Sequence, residues 1–288
     1  MTSSLPQLDR LFLTDAGLET AAGQAELERY FRQFLELARE TGTGLILESA
    51  SWRASPDWAE PLGLSGAELD RLNQASVEML QRLRADYADV SVIISGCIGP
   101  RGDGYDPGRI MPTEDSASYH AHQAAILAVA GADMLTALTM TNANEATGIA
   151  LAAQRLGIPV AISFTVETDG ALPTGQSLAD AIAEVDAATG GYPAYYMVNC
   201  AHPSHFEERL LTGGEWVQRV RGLRANASRC SHAELDAMTT LDDGNPQELG
   251  EQYRALQERL PQLTVLGGCC GTDYRHIAAI AAAVLEPA

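Results

Sequence analysis

Cys200 and the adjacent pair Cys269-Cys270 are the residues of this chain best suited to chemistry. A thiolate is both a strong nucleophile and a soft metal ligand. The pair lies in Leu266-Gly267-Gly268-Cys269-Cys270-Gly271, and Cys200 directly follows Asn199. Successive side chains of a regular strand point to opposite faces, so Cys269 and Cys270 cannot both meet one ligand from such a strand. The flanking glycines lift that restriction, because glycine leaves the strand conformation without steric penalty. Both sulfurs can then converge, and Cys200 completes a set of three. Three protein ligands with one open position describe a catalytic rather than a structural zinc site. Residue types alone weigh equally for three unrelated cysteines buried as small hydrophobes. A vicinal Cys269–Cys270 disulfide is a third, strained arrangement.

The remaining cysteines, Cys97 and Cys230, have no motif around them; Cys97 is expected to be a small buried residue near the pocket. His120-Ala121-His122 falls in a helical pattern, where positions i and i+2 do not share a face, so the two imidazoles are not a ligand pair. His202, His205 and His232 stand on loops beside the cysteines, with loop and substrate-contact roles both open. Glu48 ends an apolar run, where an ionised carboxylate needs a partner. Either Arg53 or a neighbouring strand pairs with it, or it binds a substrate ammonium. Asp15 and Glu19 lie just past the first apolar run.

Eight short apolar segments must position these groups. They centre on Leu11–Thr14, Leu45–Glu48, Val92–Ser95, Met134–Leu138, Val160–Phe164, Tyr196–Asn199, Gly222–Ala225 and Thr264–Gly267. Several are continuous rather than alternating, as in parallel strands covered on both faces. Helical patterns separate them. Leu27, Phe31, Phe34, Leu35 and Ala38 form one stripe, and Ser65-Gly66-Ala67-Glu68 is a capping box ahead of Leu69, Leu72, Leu80 and Leu83. Ser177 and Asn245-Pro246 open two more helices. The alternation predicts an α/β chain forming a single (β/α)8 TIM barrel over residues 1–288, with an open doubly wound sheet as the alternative. Long loops, roughly 49–64, 96–113 and 226–244, follow the second, third and seventh strands at the C-terminal face, where barrel active sites lie. Trp52, Trp58, Tyr105 and Met111 give these loops apolar anchors, and the aromatic rings are candidate cation–π partners for a cationic ligand. In a barrel, Cys200 and the Cys269-Cys270 pair end strands about 10 Å apart. Metal–sulfur bonds of about 2.3 Å bridge that gap if the loops lean inward.

Gly267-Gly268-Cys269-Cys270-Gly271, with Asn199-Cys200 upstream and Asp15-Ala16-Gly17 near the start, resembles the homocysteine S-methyltransferase family over nearly the whole chain. The resemblance implies a (β/α)8 barrel with one Zn2+ held by Cys200, Cys269 and Cys270. It further implies a thiol acceptor that takes a methyl group from an onium donor, with no separate catalytic residue required. Asp15, Glu19, Glu48 and Asn199 are the substrate-binding residues expected on this basis. Two departures stand out. Ala16 replaces a common glycine, and Leu138-Thr139 replaces a Glu-Thr pair whose glutamate contacts the acceptor's amino group. Either Glu48 supplies that charge and the acceptor is homocysteine, giving methionine, or the acceptor is a different thiol or selenol. S-methylmethionine, S-adenosylmethionine or a betaine suits a single barrel as donor. A zinc-dependent lyase or hydrolase is the rival enzyme class.

Composition narrows the field. With 288 residues and a net charge of -19, the chain lacks the basic patches that nucleic acid and anionic membranes select. It contains no lysine, which excludes lysine Schiff-base chemistry. No glycine-rich dinucleotide fingerprint is present. No apolar run is long enough to span a bilayer and the first ten residues do not read as a signal peptide. With five cysteines, an odd number, the expectation is a cytoplasmic protein with free or metal-bound thiols.

Overall fold

Parallel strands that bury both faces need helices on the outside, and alternating segments supply them. The structure, a computed structural model, describes residues 12–14 and 24–285. Its strands are β1 (Phe12–Thr14), β2 (Gly44–Glu48), β3 (Ser91–Ile98), β4 (Met134–Met140), β5 (Val160–Phe164), β6 (Tyr195–Asn199), β7 (Val220–Ala225) and β8 (Val265–Gly268). Strands β2 to β8 pair in sequence order, all parallel, into one curled sheet. The short β1 bonds to β2 on one side and β8 on the other, so the strand order returns on itself.

Among the described residues, ten α-helices surround the sheet: α1 (Gln24–Thr41), α2 (Pro56–Ala59), α3 (Gly66–Asp86), α4 (Thr113–Val129), α5 (Ala143–Leu156), α6 (Leu178–Thr189), α7 (Pro203–Leu211), α8 (His232–Ala237), α9 (Pro246–Arg259) and α10 (Tyr274–Leu285). Local chemistry sets their starts. Ser65 and Glu68 close a reciprocal capping box on α3, Ser177 caps α6, and Asn245 caps α9 with Pro246 in its first turn. The α1 stripe is buried at Phe31, Phe34, Leu35 and Ala38. On α3, Leu69, Leu80 and Leu83 are buried, whereas Leu72 stays exposed on the outer face. Among the described residues, no helix is long and apolar enough to cross a membrane.

Two apolar layers result. The larger lies between helices and sheet; the smaller, inside the sheet, includes Ile46, Ile93, Cys97, Met134, Leu138, Tyr195 and Met197. Cys97 is thus buried as expected. Above the inner layer the strand ends turn polar, and there the thiols gather.

Candidate metal centre

Cys200 follows β6 in the left-handed conformation, φ +54°, while its N–H still bonds to the Arg224 carbonyl of β7. Side chains rarely occupy that region of backbone space. Thr139, at the irregularity late in β4, shares it with φ +64°. A β-branched residue there is strained and must be held by its surroundings. Asn199 holds it: Thr139 N–H donates to Asn199 Oδ1 at 2.9 Å, and Asn199 Nδ2 donates to Thr139 Oγ1 at 2.8 Å. Ser163 Oγ donates to the same Oδ1 at 2.6 Å. The amide of Asn199, expected to bind substrate, is therefore engaged in positioning strand ends, with Nδ2 also 4.0 Å from Cys269 Sγ.

The second arm is the turn after β8. A Cβ on Gly268 would run into the side chain of Thr272, which caps the turn by donating from Oγ1 to the Cys269 carbonyl at 2.7 Å. Gly271 has φ +79°, and a Cβ there would meet the Asp242 carbonyl at 2.6 Å. Cys269 N–H bonds to the Ala225 carbonyl, and Cys270 N–H to Asn226 Oδ1 at 3.1 Å. This is the non-strand backbone that the glycines were expected to permit.

All three sulfurs lie within 4.8 Å of one another, with Cys200 buried, Cys269 half-buried and Cys270 exposed. Cys200 and Cys269 are close enough to form a disulfide, Cα–Cα 5.4 Å, and Cys270 is a free thiol. The vicinal Cys269–Cys270 bond weighed from the sequence does not form. Sulfurs around a tetrahedral zinc lie about 3.8 Å apart if each bond is about 2.3 Å, so the three cysteines are a donor set that could hold a metal ion once the Cys200 and Cys269 sulfurs are reduced and move apart. The disulfide and a metal compete for the same sulfurs, because only thiolates ligate.

The other expected residues distribute around this cluster. Asp15 and Glu19 lie outside the described residues. Glu48, 2% exposed, has Oε1 3.7 Å from Arg224 Nη1, so its cationic neighbour is on β7 rather than Arg53. Arg224, also buried, donates from Nε to the Gly268 carbonyl at 3.3 Å. Arg53 instead lies over the rings of Trp52 and Trp58, which takes up the faces expected to serve a cationic ligand. Trp52 Nε1 donates to the Leu138 carbonyl at 3.2 Å, tying the loop after β2 to β4. His120 and His122 go separate ways, to Glu145 and Asp70. His202 caps α7; burial, with Arg229 and His205 nearby, pushes its pKa down to about 4.

Two residues on the long loops come closer than their spacing suggested. The Tyr105 hydroxyl is 3.3 Å from Cys270 Sγ. Burial, and then the Cys270 charge, raise its pKa far above the ordinary phenol value, so it stays a donor. Its ring rests on His232, centroids 4.0 Å apart, and His232 Nε2 donates to the Cys200 carbonyl at 2.6 Å. His232 Nδ1 is 3.2 Å from Glu167 Oε1. A pocket of about 210 Å³ opens beside them, walled by Tyr105, His232, Met238, Asp236, Asp242 and Cys270. No arginine is among the described residues lining it. A larger cavity of about 510 Å³, flanked by Asp57, Arg101, Arg109 and Glu145, contains none of the thiols.

Comparison with known proteins points the same way. The family model for homocysteine S-methyltransferase matches residues 9–284. Homocysteine S-methyltransferase 4 of Zea mays is 27% identical over 278 residues, covering 86% of this chain and 77% of that protein. Homocysteine S-methyltransferase 3 of Arabidopsis thaliana is 23% identical over 269 residues, covering 84% and 76%. Among solved structures, the metallated form of the homocysteine methyltransferase MmuM from Escherichia coli shares the α/β fold with a TM-score of 0.71. It is 22% identical, over 95% of this chain and 96% of that one.

Proposed function

Because the chain belongs to the homocysteine S-methyltransferase family and is a methyltransferase, we propose that it moves a methyl group from an onium donor to homocysteine, giving methionine. We take residues 1–288 as one (β/α)8 barrel domain, with Cys200, Cys269 and Cys270 as ligands of a Zn2+ ion. The convergence of the three sulfurs within 4.8 Å is the observation that carries this reading.

A zinc ion bound there would act as a Lewis acid that keeps the acceptor sulfur deprotonated at neutral pH, where a free thiol is mostly protonated. The residues of the chain supply the rest. Three thiolates and the carboxylates of Asp236 and Asp242 make the mouth of the site anionic, which favours a cationic donor. Tyr105 offers an aromatic face beside Cys270, a role left to it once Arg53 covers Trp52 and Trp58. S-methylmethionine, S-adenosylmethionine or a betaine would each supply such a donor, and the pocket of about 210 Å³ beside Cys270 offers it a way in. The acceptor sulfur forms a bond to the methyl carbon as the donor's bond to that carbon breaks. The donor keeps the electron pair and leaves neutral, so no acid is needed. Asp15 and Glu19 are assigned to acceptor binding in this reading. Glu48 lies beside Arg224 as a buried charge pair between β2 and β7, and Asn199 fixes the β4 and β6 ends.

Incubating the reduced, zinc-loaded protein with homocysteine and S-methylmethionine should yield methionine. Loss of product in Cys269→Ala, together with loss of metal, is the expected control. Retention of both metal and activity in that variant overturns the assignment.

A further inference from the structure

The three sulfurs are held unequally. Cys200 is buried at the end of β6, and the Cys269 N–H continues the β7–β8 bonding. Cys270 is exposed, and its Sγ lies 3.3 Å from the Tyr105 hydroxyl. Tyr105 comes from the loop joining β3 to α4, 165 residues away in sequence. Its backbone N–H donates to Asp103 Oδ1 at 2.7 Å, which sets the loop's turn. Its ring then lies on His232, the first residue of α8, in the loop after β7. His232 closes the circuit by donating to the carbonyl of Cys200. The contacts run Cys270, Tyr105, His232, Cys200, and they span the cluster from two separate loops.

We propose that Tyr105 is a positioning residue of the thiol centre: its hydroxyl donates to Cys270 Sγ, and its ring, seated on His232, straps the β3 loop across the cluster. The inference rests on Cys270 being a metal ligand. Outer partners of this kind fix the direction of a ligating atom, and their removal typically weakens metal binding by about 10- to 100-fold. Cys270 needs such a partner most, because its exposed side chain has freedom that binding must otherwise remove. The hydroxyl and the ring have separable roles. Tyr105→Phe removes only the hydrogen bond, whereas Tyr105→Leu removes the stacking as well.

The test uses the whole reduced chain. Zinc affinity is measured by chelator competition, and hydrogen exchange over residues 99–112 is followed in the metal-free protein. Tyr105→Phe should bind zinc about tenfold more weakly while keeping native exchange protection over the loop. Tyr105→Leu should lose affinity and protection together. An unchanged zinc affinity in the phenylalanine variant overturns the hydrogen bond. Unchanged protection in the leucine variant overturns the strap. Wild-type protein that binds no zinc sinks the functional reading instead, and the exchange arm still decides whether Tyr105 holds the loop.

Discussion

Two non-glycine residues with positive φ, Thr139 and Cys200, stand side by side at the thiol cluster, Thr139 Oγ1 lying 3.9 Å from Cys200 Sγ. Strain of this kind persists only where neighbours over-determine it; Asn199 provides two such constraints on Thr139 and is itself anchored by Ser163. Asn199→Ala should therefore cost about 1–3 kcal/mol through the buried groups it leaves unpaired. Chemical denaturation would show it, with a parallel fall in zinc affinity as Cys200 loses its setting; full stability in the variant would mean that the two conformations hold themselves. The Arg224–Glu48 pair invites a second measurement. Arg224→Met removes the guanidinium beside the buried Glu48 carboxylate and should lower the denaturation midpoint, while adding Glu48→Gln should recover most of that loss. A double variant no better than the single would show that the pair is not coupled. The cysteines were legible in the sequence because residue type carries their chemistry and glycines mark the unusual backbone. Neither the Arg224–Glu48 pair nor the Tyr105–Cys270 contact was, since strands and loops far apart along the chain meet only once the sheet curls.

At the scale of elements, helix starts were legible because a cap is a local event. Ser65, Ser177 and Asn245 each satisfy amide groups within three residues. Ser231-His232-Ala233-Glu234 carries the same signal as Ser65-Gly66-Ala67-Glu68, and it opens the short helix α8 inside a stretch that otherwise reads as loop. That capping box orients His232 toward Tyr105 and Cys200. Ser231→Ala should cost about 1 kcal/mol and raise hydrogen exchange across residues 231–237; no change in exchange would remove α8 from the positioning scheme. The same loop returns through Asp242, whose carboxylate accepts from Ser228 Oγ at 2.6 Å and from the Gly244 N–H. The Ser228 hydroxyl, with that backbone N–H, holds its pKa below the ordinary 3.8. A lowered folded value stabilises the native state above the unfolded pKa, and the contribution is lost as pH falls through the folded value. Ser228→Ala should flatten the acid limb of the stability profile below about pH 4; an identical limb would show that the contact contributes nothing.

For the whole molecule, the alternation of strand and helix was legible because each parallel strand is apolar on both faces and each helix has one apolar stripe. What the sequence left open was the state of the sulfurs. It pointed to three thiols converging, and the structure brings all three sulfurs within 4.8 Å of one another, with those of Cys200 and Cys269 close enough to pair when oxidised. Thermal stability should respond to zinc when the thiols are reduced and not when they are oxidised, because only thiolates ligate. Zinc at about 100 times its dissociation constant adds about 2.7 kcal/mol if it binds the folded chain alone. An equal rise in melting temperature without reductant would mean that the metal sits elsewhere.

X-ray absorption at the zinc edge, on reduced protein with and without homocysteine, reaches the thiol centre most directly. Three sulfur ligands from Cys200, Cys269 and Cys270, rising to four when the acceptor is added, is the predicted result. A sulfur count below three, or one that homocysteine leaves unchanged, would contradict it.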